Sequence, residues 1–222
     1  IVLNDIEHQK ADLDAVAAQI HAIGRRAEVF FADVSDKVQV EMMAQKALAA
    51  FGHIDALVNN AGILIAGEVD GLPEKTWDSV MDVNAKGTFM VIQAFLPTMK
   101  KRGYGRVVNI ASIGGQHGAL EQAHYSASKA AVMGFSRVLA QEVGSLGITV
   151  NCVCPGIIMT DMGRVNLQEA TVREAWQAKT AMSRIGTPED VVGPVAFFVS
   201  DDAGFVTGQS LNVDGGRYGR LL

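Results

Sequence analysis

Short, continuously apolar runs alternate along the whole chain with longer stretches whose apolar positions recur every three or four residues. The first kind predicts strands at residues 1–4, 28–32, 56–59, 106–111, 149–154 and 210–213. Most lack the apolar–polar alternation of a half-exposed sheet, as strands covered on both faces do. The second kind predicts helices over residues 7–23, 37–51, 74–101, 125–146, 167–179 and 189–199. Start signals agree: Thr187 precedes Pro188 and Glu189, and Ser35-Asp36 precede the stretch carrying Val38, Met42 and Met43. Regular strand–helix order implies an α/β fold, a doubly wound parallel sheet with helices on both faces. No internal repeat, low-complexity segment or linker-like run interrupts residues 1–222, so one domain is expected.

In such sheets ligands bind at the carboxyl ends of the strands. Attention therefore falls on Asp5, Asp33, Asn59-Asn60, Ser112 and Pro155-Gly156. With 49% hydrophobic and 19% charged residues, the chain can bury a sizeable core and is no disordered polymer. Its 23 glycines call for tight turns or close backbone approaches. A net charge of −5 leaves no basic stripe for phosphates, so nucleic acid is not an expected partner. Lys100-Lys101-Arg102 is read as a solvated helix end, where cations suit the dipole. No run reaches the roughly 18 apolar residues of a membrane span, and no signal peptide is visible, so the expected location is cytoplasmic. Cys152 and Cys154, two apart on a strand, share a face and are expected to be buried, reduced thiols. The five histidines form no ligand set; His117 and His124 are expected to face solvent or substrate, and no metal is expected.

Tyr125 and Lys129 form an i, i+4 pair at the start of a predicted helix. A phenol ordinarily titrates near 10. A neighbouring ammonium, with a cationic nicotinamide ring beside it, would favour the phenolate and allow proton transfer near neutrality. Ser112, at the end of the preceding strand, could hydrogen-bond a substrate oxygen.

Five segments in order then match one family: Asn59-Asn60-Ala61-Gly62, Val83-Asn84-Ala85-Lys86-Gly87, Ser112 with Tyr125 and Lys129, the run from Pro155-Gly156 to Thr160, and the run from Gly208 to Gly216. On these the chain resembles the short-chain dehydrogenase/reductase family over nearly its whole length, which implies a Rossmann-like fold. The resemblance implies Tyr125 as general acid/base and Ser112 as the group that polarises the carbonyl or alcohol. It implies that Lys129 holds the nicotinamide ribose and lowers the Tyr125 pKa, and that Asn84 anchors a water linking Lys129 to solvent. A polar residue at a helix kink is the plainer account of Asn84. The cofactor is expected to be NAD. Asp5 would accept from the adenosine ribose hydroxyls and repel a 2′-phosphate, unless it merely caps the following helix. Asp33 and Val34 would meet the adenine, although Asp33 also suits a strand-end turn. Asn60, Ala61 and Gly62 would lie along the cofactor, and Pro155, Gly156, Ile158 and Thr160 would meet the nicotinamide end. Family members usually form dimers or tetramers through the helices predicted at 74–101 and 125–146, here with small Ala130, Ala131, Gly134 and Ser136.

The family's opening strand and Gly-rich phosphate turn have no counterpart in residues 1–222, so an additional strand–turn–helix unit before Ile1 is expected, its strand lying between those at 1–4 and 56–59. The expected activity is hydride transfer between NAD(H) and a secondary alcohol or ketone. Gln116, His117, Glu121, Gln122 and His124 suit a polyol, sugar or hydroxy acid, whereas an apolar ceiling of Ile63, Leu64, Ile157, Met159, Met162 and Trp176 suits a bulkier ketone. A 3-oxoacyl-carrier reductase is the rival within the family, disfavoured by Asp5 because such enzymes usually take NADP. A dehalogenating lyase on the same scaffold would carry Arg where Lys129 stands, and an inactive NAD-binding scaffold would not need the intact Asn84, Ser112, Tyr125 and Lys129.

Overall fold

A computed structural model describes residues 1–167 and 169–217, and of residues 165 and 166 only the backbone. The strands are β1 (Val2–Asp5), β2 (Glu28–Phe31), β3 (Ala56–Asn59), β4 (Gly105–Ile110), β5 (Ile148–Pro155) and β6 (Ser210–Val213), each within one residue of its expected limits. The helices are α1 (Lys10–Ala22), α2 (Lys37–Phe51), α3 (Glu74–Met81), α4 (Thr88–Arg102), α5 (Gly114–His117), α6 (Ala123–Val143), α7 (Asp161–Asn166), α8 (Ala170–Ala178) and α9 (Pro188–Val199).

Among the described residues all strand pairs are parallel, in two sheets of order β1-β2 and β3-β4-β5-β6. In the larger sheet β4 and β5 are almost wholly buried, as the continuous apolar runs require. Ile92 and Met99 of α4 and Leu139 and Val143 of α6 cover one face through Val107, Ile148 and Val150. Phe198 of α9 covers the other through Val108 and Val153. The sheet is therefore wound on both sides. β3 departs from the expectation, because as an edge strand it leaves Val58 43% exposed. The smaller sheet joins the same body through a core shared by Val2, Ala32, Met43, Met90 and Phe95.

Capping places the helices as anticipated. Asp36 accepts from Val38 N at 2.8 Å and Gln39 N at 3.2 Å, and Thr187 N donates to Asp190 Oδ2 at 2.8 Å as Pro188 opens α9. Lys100, Lys101 and Arg102 occupy the last turn of α4.

Several helix limits differ from the pattern reading. The helix expected at 74–101 contains a π turn, Asp82–Gly87, between α3 and α4. A single inserted residue barely disturbs a 3.6-residue periodicity, so the pattern could not reveal it. The stretch at 7–23 opens as a 3₁₀ turn, Glu7–Gln9, and that at 125–146 closes as one, Gly144–Leu146. The stretch at 167–179 is α8, preceded by a separate α7; Gln168 within it lies outside the described residues. The four residues of α5 are too few to carry a period. No helix among the described residues is long and apolar enough to cross a membrane.

Candidate active site

The carboxyl end of β4 and the first turns of α6 bring Ser112, Tyr125 and Lys129 together. Pairing with β3 and β5 holds β4 rigidly, and Ala111 N and Ile113 N continue the ladder onto Val153 O and Pro155 O at 2.8 and 3.1 Å. Beyond this strand end the chain turns into α5, and Gly114 N donates to Ser112 Oγ at 3.0 Å, fixing the hydroxyl. Gly115 lets α5 lie directly on α6: a Cβ there would come within 2.7 Å of Ala130 N and Lys129 C. Close backbone contact thus sets how Ser112 meets the phenol of Tyr125, with which it is hydrogen-bonded.

Lys129 is buried, 4% exposed, and its Nζ donates to Ile110 O at 2.9 Å while standing 5.8 Å from the centroid of the Tyr125 ring. Desolvation lowers its pKa from 10.5 to about 8, against an opposing pull from the nearby thiols of Cys152 and Cys154. Burial also pushes the Tyr125 phenol up from 10, and the hydrogen bond from Ser112 only partly offsets this. In the chain by itself the Tyr125 pKa is thus not depressed; the expected depression also invoked a cationic nicotinamide ring beside the phenol. Burial outweighs every other influence on the phenol, and Lys129 is not among the groups that lower it.

Asn84 occupies the π turn and is fully buried. Its Oδ1 accepts from Ile63 N at 2.8 Å, and its Nδ2 donates to Ile63 O and Ser128 Oγ, both at 3.0 Å. Both amide protons are thus used. Ser128 Oγ in turn donates to Tyr125 O at 2.7 Å. Asn84 consequently ties the loop after β3 to the helix that carries Tyr125 and Lys129. A water held by Asn84 would have to donate to Oδ1, which accepts once from Ile63 N, or to the backbone carbonyl, which accepts from Thr88 Oγ1 at 2.8 Å.

Gly62 lies in the same cluster, where a Cβ would sit 3.2 Å from Asn84 Oδ1 and 3.3 Å from Lys129 Nζ. Asn60 and Ala61, before it, are exposed. Asp5 stands exposed at the end of β1. Its Oδ1 accepts from Ile6 N at 2.8 Å, it caps neither following helix, and Oδ2 makes no hydrogen bond among the described residues. The capping account of Asp5 therefore gives way. Asp33 closes a strand-end turn, its Oδ1 accepting from Ser35 N and Oγ at 2.8 and 2.6 Å, while Val34 packs on the core. Thr160 caps α7 through Gly163 N at 3.1 Å. Pro155 and Gly156 end β5, and Ile158 bridges to Gly186.

A cavity of about 480 Å³ opens beside Ile113 and Gly156, at the carboxyl ends of β5 and β6. Ile157 and Trp176 line it as expected of an apolar ceiling, whereas Ile63, Leu64, Met159 and Met162 do not. Gln116 is turned to Asn212, each amide donating to the other at 2.9 and 3.1 Å. His124 is the chief surprise. Expected to face solvent or substrate, it is wholly buried with its ring 6.5 Å from that of Trp77, and neither ring nitrogen has a partner among the described residues. Cys152 and Cys154 are buried thiols, as anticipated, and no disulfide joins them. No three potential metal ligands converge among the described residues.

A family model described as "Enoyl-(Acyl carrier protein) reductase" matches residues 1–217. The chain belongs to the short-chain dehydrogenase/reductase family. It is thus an oxidoreductase of a fold that binds nicotinamide cofactors. It is 42% identical over 217 residues to the (2S)-[(R)-hydroxy(phenyl)methyl]succinyl-CoA dehydrogenase subunit BbsD of Thauera aromatica, covering 98% of this chain and 86% of that protein. To the 3-oxoacyl-[acyl-carrier-protein] reductase FabG of Staphylococcus aureus it is 38% identical, over 94% of this chain and 84% of the other. Among solved structures, a gluconate 5-dehydrogenase from Burkholderia cenocepacia in complex with NADP and tartrate superposes with a TM-score of 0.92 at 32% identity, over 97% of this chain and 84% of that one.

Of the working cluster, Ser128 escaped the sequence reading, although its position three after Tyr125 and one before Lys129 puts it on their helix face. The Ile110 carbonyl that receives Lys129 carries no side-chain signal at all.

Proposed function

We propose that the chain moves a hydride between NAD(H) and a secondary alcohol or ketone, with Tyr125 transferring the proton. The observation that carries this reading is the contact of the Tyr125 phenol with Ser112, on a backbone fixed by Gly115, with a buried Lys129 alongside.

The residues present fit a nicotinamide dinucleotide. Lys129 Nζ spends one hydrogen bond on Ile110 O and keeps protons for ribose hydroxyls. Gly62 keeps a lane clear beside that ammonium. Asp5 offers a free carboxylate oxygen at a strand end, which suits the hydroxyls of NAD and disfavours a phosphate there. Asp33, Val34, Asn60, Ala61, Pro155, Gly156, Ile158 and Thr160 complete the proposed contacts. When bound, the nicotinamide supplies or takes up the hydride.

The chain's own residues handle the oxygen. With its pKa above 10, Tyr125 holds its proton throughout the neutral range and is set to donate it to a carbonyl oxygen. Ser112 Oγ, oriented by Gly114 N, donates to the same oxygen and favours charge building up there. Lys129, charged below about pH 8, stands 5.8 Å from the centroid of the Tyr125 ring and offers its ammonium to the ribose hydroxyls. Asn84 and Ser128 hold the two sides of the site in register.

A second reading, reduction of a 3-oxoacyl thioester, is favoured by the name of the S. aureus relative. The test of the first is the Tyr125→Phe protein with NADH and a panel of ketones, followed at the nicotinamide absorbance band. Turnover should vanish while NADH affinity stays within a few fold. Retention of a substantial fraction of the rate would remove Tyr125 from the mechanism.

A further inference from the structure

We propose that the cavity beside Ile113 is an anion-selective end of the substrate site, in which Arg217, braced on Trp176, holds a carboxylate or phosphate carried by the substrate. This rests on the reading of Ser112, Tyr125 and Lys129 as the reacting end.

The cavity begins one residue after Ser112 and runs between Gly156, Ile157, Trp176 and Arg217. Its volume, about 480 Å³, is that of a small-molecule site. Two cations converge on one indole: Arg217 Cζ lies 4.9 Å and Lys179 Nζ 5.1 Å from the Trp176 ring. Neither enters an ion pair among the described residues. The third cation of the wall, Arg184, is already neutralised, with two contacts of 2.6 Å to Asp190. The remaining carboxylate, Asp214, is turned to its own turn, accepting from Gly216 N at 3.1 Å and Asn212 Nδ2 at 3.4 Å.

Arg217 is also held in place by its backbone. It bridges Thr180, and the neighbouring Ala181 N and Met182 N donate to Gly216 O and Gly215 O at 3.1 Å. A guanidinium stacked on an aromatic face keeps its N–H edge free for a planar anion. Half-buried and stacked on Trp176, it has no carboxylate partner among the described residues. An anion is the ligand chemistry that completes it.

The experiment compares 4-oxopentanoate, its methyl ester and 4-oxopentyl phosphate as substrates with NADH, in the parent protein, Arg217→Gln and Arg217→Lys. The parent should favour an anionic ketone over the ester by roughly tenfold or more in kcat/KM, about the worth of one charge-assisted hydrogen bond. R217Q should collapse that ratio towards one, and R217K should restore part of it. Preference for the phosphate over the carboxylate identifies the source of the anion. Calorimetric titration with 4-oxopentanoate reads the site without turnover. Arg217-dependent binding with every ketone inert would leave the anion site standing and sink the reacting-end reading. Ketone turnover with a ratio indifferent to Arg217, or an ester preferred by the parent, would overturn the anion site alone.

Discussion

Replacing Lys129 with Met should stabilise the protein near neutral pH and remove a pH dependence that the parent carries. Lys129 is 4% exposed, and its pKa falls from 10.5 to about 8 because burial strips water from the ammonium. At ~1.4 kcal/mol per pH unit, that gap puts the penalty on the charged form at about 3 kcal/mol. Methionine of similar length removes the charge but leaves Ile110 O without its donor, which costs about 1 kcal/mol. A net gain of about 2 kcal/mol is expected at pH 7. Below pH 8 both folded and unfolded parent chains carry the proton, so the penalty is fully present. Between about 8 and 10.5 the folded chain releases the proton while the unfolded chain keeps it, so parent stability rises with pH by up to ~1.4 kcal/mol per unit. Tyr125 and Cys152, whose pKa values burial raises, are common to both chains and largely cancel in the difference. Urea unfolding of both proteins at several pH values from about 6.5 to 10 measures the gap. It should shrink through zero as pH rises. A gap that is constant, or that widens, would refute the buried-ammonium argument.

Asp5→Ala should shrink a preference for NAD over NADP, measured as a ratio of kcat/KM values; equal use of both by the parent protein returns Asp5 to a turn role. Gly115→Ala should separate α5 from α6, lowering stability by roughly 1–3 kcal/mol and slowing turnover, because the new methyl meets backbone atoms that cannot yield singly. An unchanged melting temperature and rate would contradict that. Assembly is expected through α3, α4 and α6, whose Trp77, Phe89 and Val138 are exposed apolar positions. Light scattering at micromolar concentration should show a dimer or larger, Val138→Asp should weaken it, and a monomeric parent would end the proposal. Ser136 drops out of that surface, since it is buried between Asn109 and Cys152.

What could be read from the chain follows from how each feature is encoded. Strand positions and the β–α order depend on local apolar runs, so β1 to β6 fell within a residue of expectation. Ser112, Tyr125 and Lys129 were legible because a strand end and one helix face bring them together without reference to the rest of the fold. Asn84 was legible as a residue but not as a device. Its carboxamide is consumed by Ile63, 21 positions earlier, and Ser128, 44 positions later, and no local pattern records such partners. The same holds for the titration of the site. A Tyr–Lys pair at i, i+4 suggests mutual stabilisation of phenolate and ammonium, yet both side chains are desolvated, and burial disfavours each charged form. Neutral Tyr125 with charged Lys129 is the state this environment holds near pH 7. That state donates a proton without further preparation. Accepting one, in the oxidative direction, first requires the phenol to ionise against its own burial, a cost that Ser112 only partly offsets.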